Sequence, residues 1–170
     1  LWVVVSNAAK GLLRRVIDDP GDIGIAGEWT FRYGDGKIIE CRNQITQDGL
    51  NALGDYFIQA LSNSNVPFWL ALGTGTVAAT ISDHTLGIEG YRKSVSTKAR
   101  DTGTSLLRLR TFLMQTEAIG TWTEAGIIVG GTSAFDSGTL INRVVPPGGI
   151  AKPSGNLALT IECRLTLAAS

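Results

Sequence analysis

Apolar and polar positions alternate with a period of two along much of this chain. The clearest run is Asn156 to Leu167: Leu157, Leu159, Ile161, Cys163, Leu165 and Leu167 face one way, Thr160, Glu162, Arg164 and Thr166 the other. Strict alternation means one buried and one wetted face, the signature of an antiparallel sheet. Glu28 to Tyr33 repeats it, with Trp29, Phe31 and Tyr33 on one face. Gly34-Asp35-Gly36 follows, and extended chemistry resumes from Lys37 to Ile45, so a hairpin is predicted whose glycines supply the positive φ of the turn. Phe68 to Leu72, Lys93 to Lys98, Ser105 to Met114, Trp122 to Val129 and Thr139 to Val145 are further strand candidates. Gly, Ser and Pro turns separate them, which predicts a mainly β chain folded as an antiparallel β-sandwich.

One α-helix interrupts the strands, from Gln47 to Leu61. Thr46 can cap it, and Asp48 sits in its first turn, where the helix dipole favours negative charge. Leu50, Leu53, Phe57 and Leu61 form a stripe at helical spacing; Ser62-Asn63-Ser64-Asn65 and Pro67 end it. Gly54 costs about 1 kcal/mol against Ala inside a helix and suggests close packing there. Residues 1–19 space their apolar positions as a short amphipathic helix, although the β-branched start also permits an extended arm. Pro20-Gly21, Gly24 and Gly27 read as a linker. The expected division is therefore an N-terminal arm and linker, 1–27, and a β-sandwich domain, 28–170. Trp2, Val3, Val4, Leu12, Leu13 and Ile17 would be a liability in water, and are candidates for contact with a neighbouring subunit. Ile39-Glu40-Cys41-Arg42 recurs as Ile161-Glu162-Cys163-Arg164, which reads as two strands obeying one inside/outside rule.

Composition adds a tendency to associate. In 170 residues 44% are hydrophobic and 18% charged, below the roughly 25% charged of ordinary soluble domains, so the surface is poorly defended against association. Fifteen basic and fifteen acidic residues cancel, but unevenly along the chain. Gln44 to Tyr91 contains no Lys or Arg, whereas Arg92, Lys93, Lys98, Arg100, Arg108 and Arg110 face a lone Asp101. Without net positive charge or interleaved aromatics this basic stretch does not fit a nucleic-acid face. It fits a solvated strand face, or a basic patch meeting an acidic patch of another copy. The Leu1–Val5 apolar run is too short for a membrane span, and no membrane partner is expected. Cys41 and Cys163 occupy apolar strand positions and read as buried thiols without disulfide or zinc spacing.

Chemistry is sparse. His84 is the single histidine, lies in the turn composition Ser82-Asp83-His84-Thr85, and leaves little for metal sites or His-based triads. Leu72-Gly73-Thr74-Gly75-Thr76 lacks the Lys-Ser/Thr of a Walker loop and the third glycine of a dinucleotide fingerprint. Glu117 and Glu124 are the nearest candidates for a glycosidase pair, but no cluster of exposed aromatics marks a sugar groove; Trp29, Trp69 and Trp122 fall in strand patterns. No catalytic, cofactor-binding or metal-ligating residues are expected. Glu124, in a strand that reads as buried on both faces at its far end, would need a cationic partner, since an unpaired buried charge is very costly. Arg92 and Arg143 are the candidates for that structural ion pair.

Five motifs in order resemble a family of small tailed-bacteriophage virion proteins. They are Asn43-Gln44-Ile45-Thr46-Gln47-Asp48-Gly49-Leu50, Leu70 to Thr76, Asp83 to Arg92, Thr123-Glu124-Ala125-Gly126-Ile127 and Leu140-Ile141-Asn142-Arg143-Val144, with the Lys152-Pro153 step before the last strand. The likeness spans residues 43 to 167. It implies a non-enzymatic β-sandwich subunit of a tail, collar, fibre base or capsid decoration. The localisation implied is the virion, and the partners are the chain itself and other virion structural proteins. A receptor- or carbohydrate-binding module of a fibre is the alternative, and would be expected to carry exposed aromatics on loops.

Overall fold

The computed structural model describes residues 23–50, 52, 66–100, 106–153 and 156–169. Along the chain the strands are β1 (Ile23–Tyr33), β2 (Ile38–Arg42), β3 (Gln44–Ile45), β4 (Phe68–Gly73), β5 (Glu89–Ser94) and β6 (Thr97–Arg100). They continue as β7 (Leu106–Leu113), β8 (Gly120–Trp122), β9 (Glu124–Val129), β10 (Thr139–Val144), β11 (Ile150–Lys152) and β12 (Leu159–Ala169). Two five-stranded antiparallel sheets, ordered β2-β1-β12-β7-β6 and β3-β10-β9-β4-β5, pack face to face; β11 and β8 form a small third sheet. Trp29, Phe31, Leu109, Ile161 and Cys163 of the first sheet and Leu70, Leu72, Ile127 and Val144 of the second share one core. Period-two alternation thus becomes an antiparallel sandwich.

Both edges of the sandwich are closed by strands that change sheets. The chain leaves the first sheet at Arg42 and enters the second at Gln44; the Asn43 N–H donates to Gly27 O at 3.2 Å, and the Thr46 N–H to Ile141 O at 3.1 Å. On the other edge β5 runs into β6, with the Val95 N–H bonded to Phe68 O at 2.8 Å and the Ser96 N–H to Arg110 O at 2.9 Å. If each bent pair counts as one strand, the ten strands of the two sheets form a closed antiparallel circuit of eight. Such bends make the corners of a sandwich and leave little edge for stray pairing.

Two expectations are corrected here. Residues 23–27 are not linker: β1 begins at Ile23, which pairs with Ala169. Gly27 serves the corner, since a Cβ there would sit 1.9 Å from Asn43 Oδ1. Lys93–Lys98 is not one strand but the bend between β5 and β6. Residues 1–22, including Trp2, Val3, Val4, Leu12, Leu13 and Ile17, lie outside the described residues.

Helix starts at Gln47, capped by Thr46, whose Oγ1 accepts the Gly49 N–H at 3.0 Å. Gly49 is needed because a Cβ would lie 2.2 Å from Ile141 O. Most of the 47–61 stretch, residues 51 and 53–61, lies outside the described residues. The recurring tetrapeptide has a structural meaning: Trp29 pairs with Cys163 on one side and Cys41 on the other, and Glu28 lies between Arg164 and Arg42 in the same way. Both copies therefore flank one stretch of β1 in the same register.

Candidate functional site

The outer face of the second sheet is where the chain gathers its unusual chemistry. Two bulges set that face. One lies between Leu72 and Gly73, opposite Gly90 on β5; the other lies between Leu140 and Asn142 on β10. In a regular strand residues three apart point to opposite faces, but an extra residue restores them to the same one. Glu89 and Arg92 therefore share the outer face, as do Leu140 and Arg143.

A roof of two loops, 74–88 and 130–138, covers that face. Leu86 from the first loop packs on Ala71, Ile128 and Leu140, with Trp69 beside them, making a second, smaller core. This is why β9 is buried on both faces.

Beneath the first loop Glu124 is 0% exposed. Its carboxylate accepts N–H groups from Gly75 at 2.7 Å, Gly87 at 3.0 Å and Ile88 at 2.9 Å, and the Arg143 Nε–H at 2.7 Å. Arg143 also donates to Asp83 Oδ2 at 2.8 Å and Val77 O at 3.0 Å. The glycines are required by the close approach, because a Cβ on Gly73 or Gly75 would lie 2.5 Å from Glu124 Oε1. Burial alone would push the Glu124 carboxyl up, but the backbone donors and Arg143 outweigh it and hold it below its ordinary 4.5. Asp83 is likewise held down: its partial burial acts upward but is outweighed by Thr80 and Arg143.

Beneath the second loop Glu89 and Arg92 form an ion pair with both side chains 1% exposed. Arg92 Nη1 donates to Thr132 O and Ser137 O, each at 2.9 Å, and Glu89 Oε2 accepts the Asp136 N–H at 3.0 Å. The loop needs left-handed backbone at Gly130, Gly131 and Gly138 and at Asp136, φ 56°. A non-glycine residue there is uncommon, and Asp is among those that tolerate it best.

Of the two arginines expected for Glu124, the structure brings Arg143 to it and commits Arg92 to Glu89. His84 lies on the surface, 71% exposed, 2.5 Å from Asp48. The basic stretch from Arg92 to Arg110 is no single patch. Lys93 pairs with Glu117, Lys98 lies over the Phe68 ring, and Arg110 meets Glu162. Lys152, fully buried, was not foreseen as a structural cation; its Nζ donates to Gln115 O at 2.7 Å and Glu117 O at 2.6 Å, and burial holds its pKa down. Asn142 links the sheets by donating to Cys163 Sγ at 3.1 Å, and burial pushes the Cys163 thiol up to about 12 and Cys41 to about 11. Phe135, on the 130–138 loop, is 51% exposed.

Among the described residues no group of His, Cys, Asp and Glu is placed to hold a metal, and no helix is long and apolar enough to cross a membrane. No family model, curated protein or solved structure matches the chain.

A pH dependence follows from the depressed carboxylates. A carboxyl whose folded pKa lies below its unfolded value adds stability that is full above the unfolded value and lost as pH falls through the folded one. Stability contributed by Glu124 and Asp83 should therefore be intact above their ordinary values of 4.5 and 3.8 and decline below them. Denaturation midpoints measured from neutral pH downward should fall in that acid range; a midpoint flat through it would contradict this account.

Proposed function

We propose that this chain is a non-enzymatic structural subunit of a phage virion, in a tail, collar or fibre attachment, acting through contacts with its own copies and other virion proteins. The observation that carries the reading is the roof. Four of the five motifs that resemble small tailed-phage virion proteins meet there: Gly73 to Gly75, Asp83 to Arg92, Glu124, and Leu140 to Arg143 each supply part of the roof or its braces. Their order along the chain then has one physical cause, the bracing of two loops on one sheet face. Glu124 fits this role better than catalysis, since four donors and complete burial leave it no contact with a substrate or water.

Localisation by reconstruction of particles carrying a labelled copy tests the reading, and absence of the chain from purified particles would sink it. No turnover of glycan or peptidoglycan is expected; turnover lost in Glu124→Gln would overturn the non-enzymatic part. The alternative, a receptor- or carbohydrate-binding module of a fibre, is favoured by the exposed Phe135. Binding to host cells or glycans that is lost in Phe135→Ala would select it.

The segment before β1 belongs to the same proposal as an attachment arm. Because β1 starts at Ile23, the test is deletion of residues 1–22. The shortened chain should keep its fold and melting temperature and lose its place in the particle. Unfolding, or normal incorporation, would count against the arm.

A further inference from the structure

The two outward faces of the sandwich differ in sign. The open face of the first sheet carries Arg32, Arg42, Arg108, Arg110 and Arg164. Against them stand Glu28, Glu40 and Glu162, which leaves a formal charge of +2 among the described residues. The opposite face is the roof and its braces. Among the described residues it carries Asp48, Asp83, Glu89, Glu124 and Asp136 against Arg92 and Arg143, a formal charge of −3 with the one histidine counted as uncharged.

Both faces also expose apolar side chains. The roof presents Val77, Ile81, Ile88 and Phe135, with Val77 76% and Ile88 63% exposed. The open face presents Ile38 and Phe112 in one cross-strand row with Arg32 and Thr160. Apolar residues within charged surroundings of opposite sign are the ingredients of a specific interface. The roof is stiffened from within by two buried ion pairs, so little ordering of it is needed on contact.

We infer that the roof of one copy docks on the open face of the first sheet of a second copy, a head-to-tail contact. Two different surfaces meet in such a contact, so it is heterologous and generates rings or filaments, whereas a two-fold dimer would use one surface twice. The closed sheet edges are consistent with this, because they disfavour assembly by strand addition. The inference deepens the assembly reading and fails separately from it. Absence from particles removes the virion role, whereas the sedimentation test below bears on the contact itself.

The test uses the full chain in sedimentation velocity over a concentration series at low and high salt, with circular dichroism to check folding. Wild type should associate, less so at high salt as surface charges are screened. Arg32→Glu with Arg42→Glu reverses the open face at two exposed arginines that have no ion pair among the described residues. Ser133→Lys with Asp136→Asn cuts the formal charge of the roof from −3 to −1, and Asn tolerates the left-handed backbone at 136. The arginine double variant alone should associate at least about tenfold more weakly, the cost of setting like charges opposite one another, and the roof variant should also associate more weakly than wild type as its attraction falls. Their mixture should form pairs that grow no further, since only one complementary contact is restored. Should either variant misfold, Thr160→Glu and Ala134→Lys replace them. A wild type monomeric at every concentration, a variant that associates like wild type, or a mixture that does not pair would each overturn the inference.

Discussion

Glu124→Gln should cost about 3–5 kcal/mol of folding stability, the range for breaking a buried ion pair from one side. The shape is conserved, so cavity formation contributes little and the loss is electrostatic. The carboxylate has four hydrogen-bond donors and none of its surface in water. A carboxamide replaces one acceptor oxygen by an NH₂ group, which must face either the Arg143 guanidinium or backbone N–H groups of the 74–88 loop. Either choice sets donor against donor. Arg143 keeps Asp83 as a counter-ion at 2.8 Å, which places the effect toward the lower end of the range. Glu162→Gln is the natural comparison, because its partners Arg110 and Arg164 are 49% and 34% exposed; pairs whose cation lies in solvent approach the 0–1 kcal/mol or so of surface pairs. Chemical denaturation of the two variants beside wild type measures both. The gap between Glu124→Gln and wild type should also narrow in acid, where the native carboxylate is protonated. A loss of only a few tenths of a kcal/mol at neutral pH would refute the account.

How much of this was legible in the sequence depends on which physical rule wrote each part. Burial writes the period-two pattern: the apolar positions of Glu28–Tyr33 and Leu159–Leu165 all lie in the core, so the sandwich could be read directly, although Thr30 and Glu162 on the polar face are buried as well. Local capping was legible too, because Thr46 and Gly49 are three residues apart and act on one another. Bulges and corners were not. Their cause is a partner strand distant in sequence, and the visible signs were single glycines at 27 and 90. Gly27 looked like linker because a strand glycine and a linker glycine carry the same letter; Gly90 inside a strand pattern is the kind of signal that marks a bulge.

The choice of partner for Glu124 illustrates the same limit. Arg143 pairs with Gly126 of β9, two residues along from Glu124. Such diagonal neighbours lie about 7–8 Å apart at Cα, within reach of an arginine. Arg92 pairs with Ala71 of β4, itself opposite Gly126, so it lies a further strand away, about 4.8 Å more. It also has Glu89 beside it, on the same face because of the bulge. Sequence proposes both arginines; strand order decides between them.

Arg92→Met should release the 130–138 loop. The guanidinium contacts both Glu89 oxygens, at 2.5 and 2.7 Å, and two loop carbonyls. Without it Glu89 keeps the Asp136 N–H and no counter-ion in a buried position. If the roof stayed shut, the cost would again be about 3–5 kcal/mol. The loop has a cheaper route. Three glycines and Asp136 hold positive φ, and most of the hydrogen bonds fixing its shape involve Arg92, Glu89 or Ser137. It can open locally and hydrate Glu89 while the shared core stays folded, because local opening depends only on the contacts it breaks. The expected result is therefore a global stability loss smaller than that of Glu124→Gln together with much faster amide exchange at Thr132 and Asp136. Exchange in β1 and β12, on the far side of the core, should change little. Adding Glu89→Gln removes the uncompensated charge and should restore part of the stability without restoring protection of the loop, since the carbonyls of Thr132 and Ser137 still lack their donor. Hydrogen exchange resolved to the 130–138 segment, read beside denaturation midpoints, separates these outcomes. Exchange unchanged in that segment, with stability within a few tenths of a kcal/mol of wild type, would mean that Arg92 does not brace the loop.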